Sequence, residues 1–196
     1  EPSTDVRWGV TSNFTLNGTA NPDFSQVETD VGQIPGDVRF ALFFPELRPF
    51  FVEGSEQFDA PNRLVYTRRI AQPLGAIKLT GKIPRTDVGL LSAMDAAAPG
   101  GTGTNPIFTI LRLRRDLGDQ SNAGVVLTDR TESGKFNRVG GLDARFQFRS
   151  VYNIEWRMAG SDTRDPDGRR QGALWEANTG RTGRSYGYRY GIQGIS

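Results

Sequence analysis

The chain has 196 residues, 36% of them hydrophobic and 23% charged, and no window approaches the roughly 18 to 20 apolar residues a membrane-crossing helix needs. A helical membrane protein is therefore excluded. The absence of cysteine and histidine removes disulfide scaffolds, thiolate metal sites and imidazole catalysis, and a net charge of +2 gives no bulk attraction for nucleic acid.

All basic residues except Lys78, Lys82 and Lys135 are arginine, but they alternate along strand-like segments instead of forming a block, so nucleic acid is not expected as a partner. With 24 glycines and 11 prolines gathered in turn clusters, the chain reads as all-β with many short strands. Glu1 opens without a leader, so a secretory leader is expected to have been removed or to lie outside this sequence.

In chain order, Trp8, Val10, Phe14 and Leu16 share one parity against Arg7, Thr11, Asn13, Thr15 and Asn17, which predicts a single first strand with one oily and one wet face. Periodicity fails over 21–73, a stretch that includes the unusual run FFPELRPFFVEGSEQF (43–58), rich in phenylalanine and glutamate. It returns with Ile77, Leu79 and Ile83 against Lys78, Thr80 and Lys82, and after Pro84-Arg85-Thr86 comes a strand near 87–95 whose facing is ambiguous. Ile107, Leu111 and Leu113 oppose Arg112 and Arg114, and Ala123, Val125 and Leu127 follow. Then Leu142, Ala144, Phe146 and Phe148 oppose Asp143, Arg145, Gln147 and Arg149, and Tyr152, Ile154, Trp156 and Met158 oppose Asn153, Glu155 and Arg157. Trp175 marks one more strand, and Tyr186, Tyr188, Tyr190 and Ile192 line the last, opposite Arg189 and Gln193.

The hairpin across 142–158 specifies its own register. Its two apolar sets have the same parity, so the link must hold an odd number of residues, and three of them, Arg149 to Val151, pair Phe148 with Tyr152. The same register sets Phe146 against Ile154, Ala144 against Trp156 and Leu142 against Met158. It also sets Arg145 against Glu155 and Asp143 against Arg157. Short links (PRT, DLGDQSN, RSV, GRTG) alternate with longer polar ones (AAAPGGTGTNP, RTESGKFNR, SDTRDPDGRR), as in outer-membrane barrels. The expected fold is an antiparallel up-and-down transmembrane β-barrel, with an irregular plug or rim over 21–73 and β-meander hairpins over 74–196. Outer-membrane lipid is then a partner and Tyr186 and Tyr188 belong to an interfacial girdle. A soluble, secreted or periplasmic carbohydrate-binding β-sandwich with the oily face buried is the alternative.

The strings NGTANPDFSQVETD (17–30) and FALFFPELRPFFVEGSEQF, followed by LVYTRRI and GAIKLTGK, resemble an uncharacterised family of bacterial outer-membrane β-barrel proteins. In that family the barrel often follows a domain similar to family-nine carbohydrate-binding modules. The resemblance spans about Trp8 to Met94 and rests on Asn21, Pro22, Asp23, Phe24, Gln26 and Glu28, then on Pro45, Glu46, Arg48, Pro49, Phe50, Phe51 and Glu53. It implies an outer-membrane location and a chain that is the N-terminal part of a larger barrel with remaining strands beyond Ser196; the expected role is non-enzymatic, with glycan binding or passage by analogy with the family's attached domain.

For 43–58 the expected role is structural: phenylalanines anchor the segment, prolines keep it out of strand pairing, and Arg48 neutralises a neighbouring glutamate. Calcium held by Glu46, Glu53 and Glu56 with Asp23, Glu28 and Asp30 is disfavoured, because the spacing matches no calcium loop. A glycoside hydrolase is a further alternative, with Glu46 or Glu53 as an acid whose pKa the phenylalanines raise. No cofactor, metal or catalytic residue is assigned. The candidate binding residues, placed inside the lumen, are Arg112, Arg114, Arg145, Glu155, Arg157 and Arg189, facing a glycan or small anionic solute.

Overall fold

The computed structural model describes residues 4–22, 45–97 and 103–196. Ten antiparallel strands follow one another in a single meander: β1 (Thr4–Thr11), β2 (Phe14–Ala20), β3 (Pro73–Ile83), β4 (Thr86–Asp95), β5 (Ile107–Asp116), β6 (Asn122–Glu132), β7 (Lys135–Phe148), β8 (Tyr152–Asp165), β9 (Gly168–Thr182) and β10 (Gly187–Ile195). The β7–β8 register is the expected one at every position, from Phe148 opposite Tyr152 to Leu142 opposite Met158.

The first strand is a hairpin. Thr11 pairs with Phe14 around Ser12-Asn13, and a bulge between Gly9 and Thr11 restores parity so that Trp8 lies opposite Leu16. That compensation makes two strands read as one. Two supposed long loops are strand ends: β6 and β7 meet at Ser133-Gly134, where φ is +37° and +79°, and β8 and β9 meet around Pro166-Asp167. Their polar residues are cross-strand partners, with Arg138 Nε 2.8 Å from Asp129 Oδ1 and Arg169 Nη2 2.6 Å from Asp162 Oδ2. The alternation of short and long connections, which pointed to a barrel, therefore dissolves.

The transmembrane barrel is corrected with it. β1 and β10 are the two edges of the sheet and do not pair with each other, so among the described residues the sheet is open and encloses no lumen. Alternating faces are common to barrels and open sheets, whereas closure depends on tilt, stagger and edge pairing, which alternation does not encode. Open edges leave N–H and C=O groups unpaired, and hydrocarbon cannot satisfy them. The lipid partner, the outer-membrane location, the passage function and barrel strands completing the wall fall with the closed barrel. No helix among the described residues is long and apolar enough to cross a membrane.

The sandwich alternative is closer in having an open sheet with protein against one face, but the cover is not a second sheet, and the face it buries is the one carrying Lys78 and Arg112, not the oily one. Residues 45–72 fold into the short helix α1 (Pro49–Val52) and three 3-10 turns at Ser55–Phe58, Pro61–Arg63 and Thr67–Arg69. Pro49 opens α1, where its missing N–H costs nothing. Phe51, Phe58 and Ile70 then pack on Ala76, Leu91, Ala93, Phe108 and Ile110, forming the hydrophobic core. The ambiguous facing of β4 is resolved by this cover: Asp87, Gly89, Leu91, Ala93 and Asp95 lie beneath it.

Glycines make the room. A Cβ on Gly89 would meet the Phe58 ring at 3.0 Å, and one on Gly141 would meet Leu64 Cδ1 at 2.7 Å. The opposite face carries Leu90, Leu127, Leu142, Phe146, Ile154, Trp156, Met158 and Trp175, all exposed.

Candidate functional site

The cover is tied to the sheet by buried cations that reach main-chain carbonyls. Lys78, expected on a wet face, is 1% exposed. Its ammonium donates to the carbonyls of Phe50 and Glu53 and sits 4.8 Å from the Phe50 ring centroid. Burial pulls its pKa below the ordinary lysine value, against the opposing pull of Glu53 and Glu56.

At the start of the cover Arg48 donates from Nε to Glu46 Oε1 at 2.8 Å and from Nη2 to Glu46 Oε2 at 2.8 Å. The same guanidinium reaches the carbonyls of Ile70 (2.5 Å) and Thr67 (3.0 Å) and lies 4.3 Å from the Phe51 ring centroid. Arg68 Nη1 donates to the Pro45 carbonyl at 2.7 Å. Burial pushes the Glu46 carboxyl upward, but hydrogen bonds from Arg48 and Thr67 outweigh it and hold the pKa below 4.5. An acid raised for glycoside cleavage is therefore not found at Glu46. Glu53 instead pairs with Arg7 and accepts from Asn17 Nδ2 at 3.4 Å.

The sign of the Glu46 shift sets a pH dependence. A carboxyl more acidic folded than unfolded contributes stability fully above its unfolded pKa, and this is lost as pH falls through the folded value. Denaturant midpoints of the wild type should decline as pH drops below about 4.5, with a shallower decline in Glu46→Gln. Equal slopes would remove Glu46 from the acid response.

Further along the cover, the turn around Asp59–Asn62 overhangs β5 to β8 and encloses a pocket of about 420 Å³. Arg112, 2% exposed, forms its inner wall. Its Nε donates to the Asp59 carbonyl at 2.9 Å, and Nη1 and Nη2 grip Asp143 at 2.5 and 3.1 Å. Arg112 is on β5 and Asp143 on β7, so the guanidinium must cross β6, and it does so over Gly124, where a Cβ would stand 2.5 Å from Nη1. Arg114 turns to Asp87, with Nη2 2.8 Å from Oδ2. Burial raises the Asp87 carboxyl, but Arg114 and Lys82 together hold it below 3.8.

Arg157 bridges Glu155 (3.0 Å) and Glu176 (3.4 Å). Arg145, directly opposite Glu155, approaches it only to 3.7 Å, and its side chain is 54% exposed. The backbone register thus holds while the ion pairs rearrange: Asp143 serves Arg112 across two strands, not Arg157 beside it.

Of the sequence-derived binding residues, Arg112, Arg114, Arg145, Glu155 and Arg157 line this one pocket. Arg189 does not; it lies exposed on the edge strand β10. Asp59, Asn62, Asn122 and Asp143 line the pocket without having been singled out. Asp143 alone carried a signal, as the charged neighbour of the Arg145–Glu155 register. Asn62 sits at φ +58°, a conformation asparagine tolerates better than most residues. Asn21, at φ +47°, donates its N–H to the Leu74 carbonyl beside Pro22, whereas Asp23, Phe24, Gln26 and Glu28 lie outside the described residues. Among the described residues no cluster of acidic side chains is arranged to hold a metal ion.

Residues 3–85 match a family described as a domain of unknown function (DUF5916), a span that takes in β1 to β3 and the cover. Compared with curated proteins and with solved structures, the chain matches none.

Proposed function

We propose that this chain is a carbohydrate-binding β domain of the secreted or periplasmic kind, acting without catalysis, with its ligand held in the pocket beneath the Asp59–Asn62 turn. One observation carries the reading: the pocket sets guanidinium donors and carboxylate acceptors side by side with the amides of Asn62 and Asn122 in a volume of about 420 Å³. Adjacent donors and acceptors of this kind match the vicinal hydroxyls of a sugar, each of which can both give and take a hydrogen bond. The volume lies in the range of small-ligand sites, roughly 300 to 1,000 Å³.

The carboxylates are positioned acceptors, since Asp143 is gripped by Arg112 and Glu155 by Arg157. The open edges of β1 and β10 belong in water or against protein, which supports a setting outside hydrocarbon.

The test is an NMR titration with a panel of neutral and acidic monosaccharides and oligosaccharides. Amide shifts confined to Asp59, Ala60 and Asn62 and to residues 112–114, 122–124, 143–145 and 155–157 are expected. Shifts elsewhere, or none with any sugar, would overturn the proposal.

A further inference from the structure

We infer that the sugar this pocket accepts carries a carboxylate, and that Arg145 receives it; the inference rests on the carbohydrate reading and narrows it to uronic-acid-type ligands.

The lining holds four guanidinium groups, from Arg112, Arg114, Arg145 and Arg157, against the carboxylates of Asp59, Asp143 and Glu155. The partners are unevenly shared. Arg112 grips Asp143 through both terminal nitrogens and the Asp59 carbonyl through Nε, Arg114 is turned to Asp87, and Arg157 takes Glu155 and Glu176. Arg145 is left with one loose contact, 3.7 Å from a Glu155 oxygen, which is beyond hydrogen-bond length. Glu155 is meanwhile committed to Arg157 through its other oxygen.

Arg145 therefore presents a planar fork of N–H donors in a pocket whose other three guanidinium groups are already paired with carboxylates. A fork of that geometry takes a carboxylate through two parallel hydrogen bonds, and charge assistance makes these roughly twice as strong as neutral ones. The remaining hydroxyls of the sugar then face Asn62, Asn122 and the fixed carboxylates.

Calorimetry on the full chain, with glucuronate and galacturonate against glucose and galactose, and with acetate as a free carboxylate, separates the outcomes. The uronates are expected to bind about ten-fold more tightly than the matching neutral sugars. In Arg145→Gln that ratio should collapse toward unity, and in Arg145→Lys, which keeps the charge and loses the fork, it should fall part way. A side chain this exposed should leave the thermal unfolding midpoint near the wild-type value, which checks folding in the same samples.

Equal binding of uronates and neutral sugars by the wild type, or an unchanged ratio in Arg145→Gln, would overturn the inference and leave the carbohydrate reading standing. Acetate binding as tightly as the uronates would also overturn it, reducing the site to one for simple anions. Failure of every sugar would bring down the underlying reading too.

Discussion

Arg112→Ala should destabilise the fold by about 3–5 kcal/mol, the loss typical of breaking a buried ion pair from one side. Removing the guanidinium strands the Asp143 carboxylate, which is 11% exposed and loses its bidentate partner, and leaves the Asp59 carbonyl without its donor. The companion experiment is the double replacement Arg112→Met with Asp143→Leu. It should recover most of the loss, because apolar groups of similar volume remove the desolvation penalty together with the pair. Gly124→Ala approaches the same state by another route, since its methyl group would occupy the space through which the guanidinium crosses β6. Chemical denaturation reads all three. A loss below about 1 kcal/mol for Arg112→Ala, in the range of a surface pair, would mean that Arg112 is hydrated and that the pocket wall is looser than described.

Phe51→Ala should cost a similar amount, about 3–5 kcal/mol, because the ring is 2% exposed and leaves a cavity between the cover and the sheet. The ring also touches the Phe50 ring edge-on at 5.1 Å and carries the Arg48 guanidinium, so the cavity undermines two further contacts. Phe50→Ala, at a half-buried position, should cost less. Limited proteolysis then distinguishes local from global loss. If the cover and sheet form one cooperative unit, cleavage within 45–72 should rise in step with the global unfolding constant. Cleavage there at unchanged global stability would show that the cover detaches on its own.

The legible part of this fold was what periodicity encodes. The β7–β8 register followed from parity alone, because a slip by one residue would have exchanged an aromatic face for a charged one. The role of the phenylalanine-rich run was legible for a related reason: Phe51 and Phe58 had no strand or helix pattern to serve, so they had to anchor something, and Arg48 had Glu46 within reach.

What stayed hidden depends on distance through space. Whether the sheet closes is decided where β1 and β10 run, far apart in sequence, and no side-chain alternation records it. Lys78 sits in a polar row that looks wet, and only the arrival of the Phe50 and Glu53 carbonyls explains its burial. The pocket shows both limits. Its arginines were identified because they share a face, but Asn62 and Asp59 come from a turn with no period, and Gly124 matters for what it lacks.

The anchors of the cover have a consequence for how this segment can vary. Lys78 and Arg112 hold it from the sheet, and its own Arg48 and Arg68 fold it on itself, all through the oxygens of Phe50, Glu53, Asp59, Ile70, Thr67 and Pro45, atoms that every amino acid possesses. Exchanging the side chain at Asp59 therefore leaves its clasp in place, while inserting or deleting one residue between Glu53 and Asp59 should displace the Asp59 carbonyl from Arg112 relative to the Glu53 carbonyl on Lys78. Spacing, more than spelling, is the constraint this segment must obey.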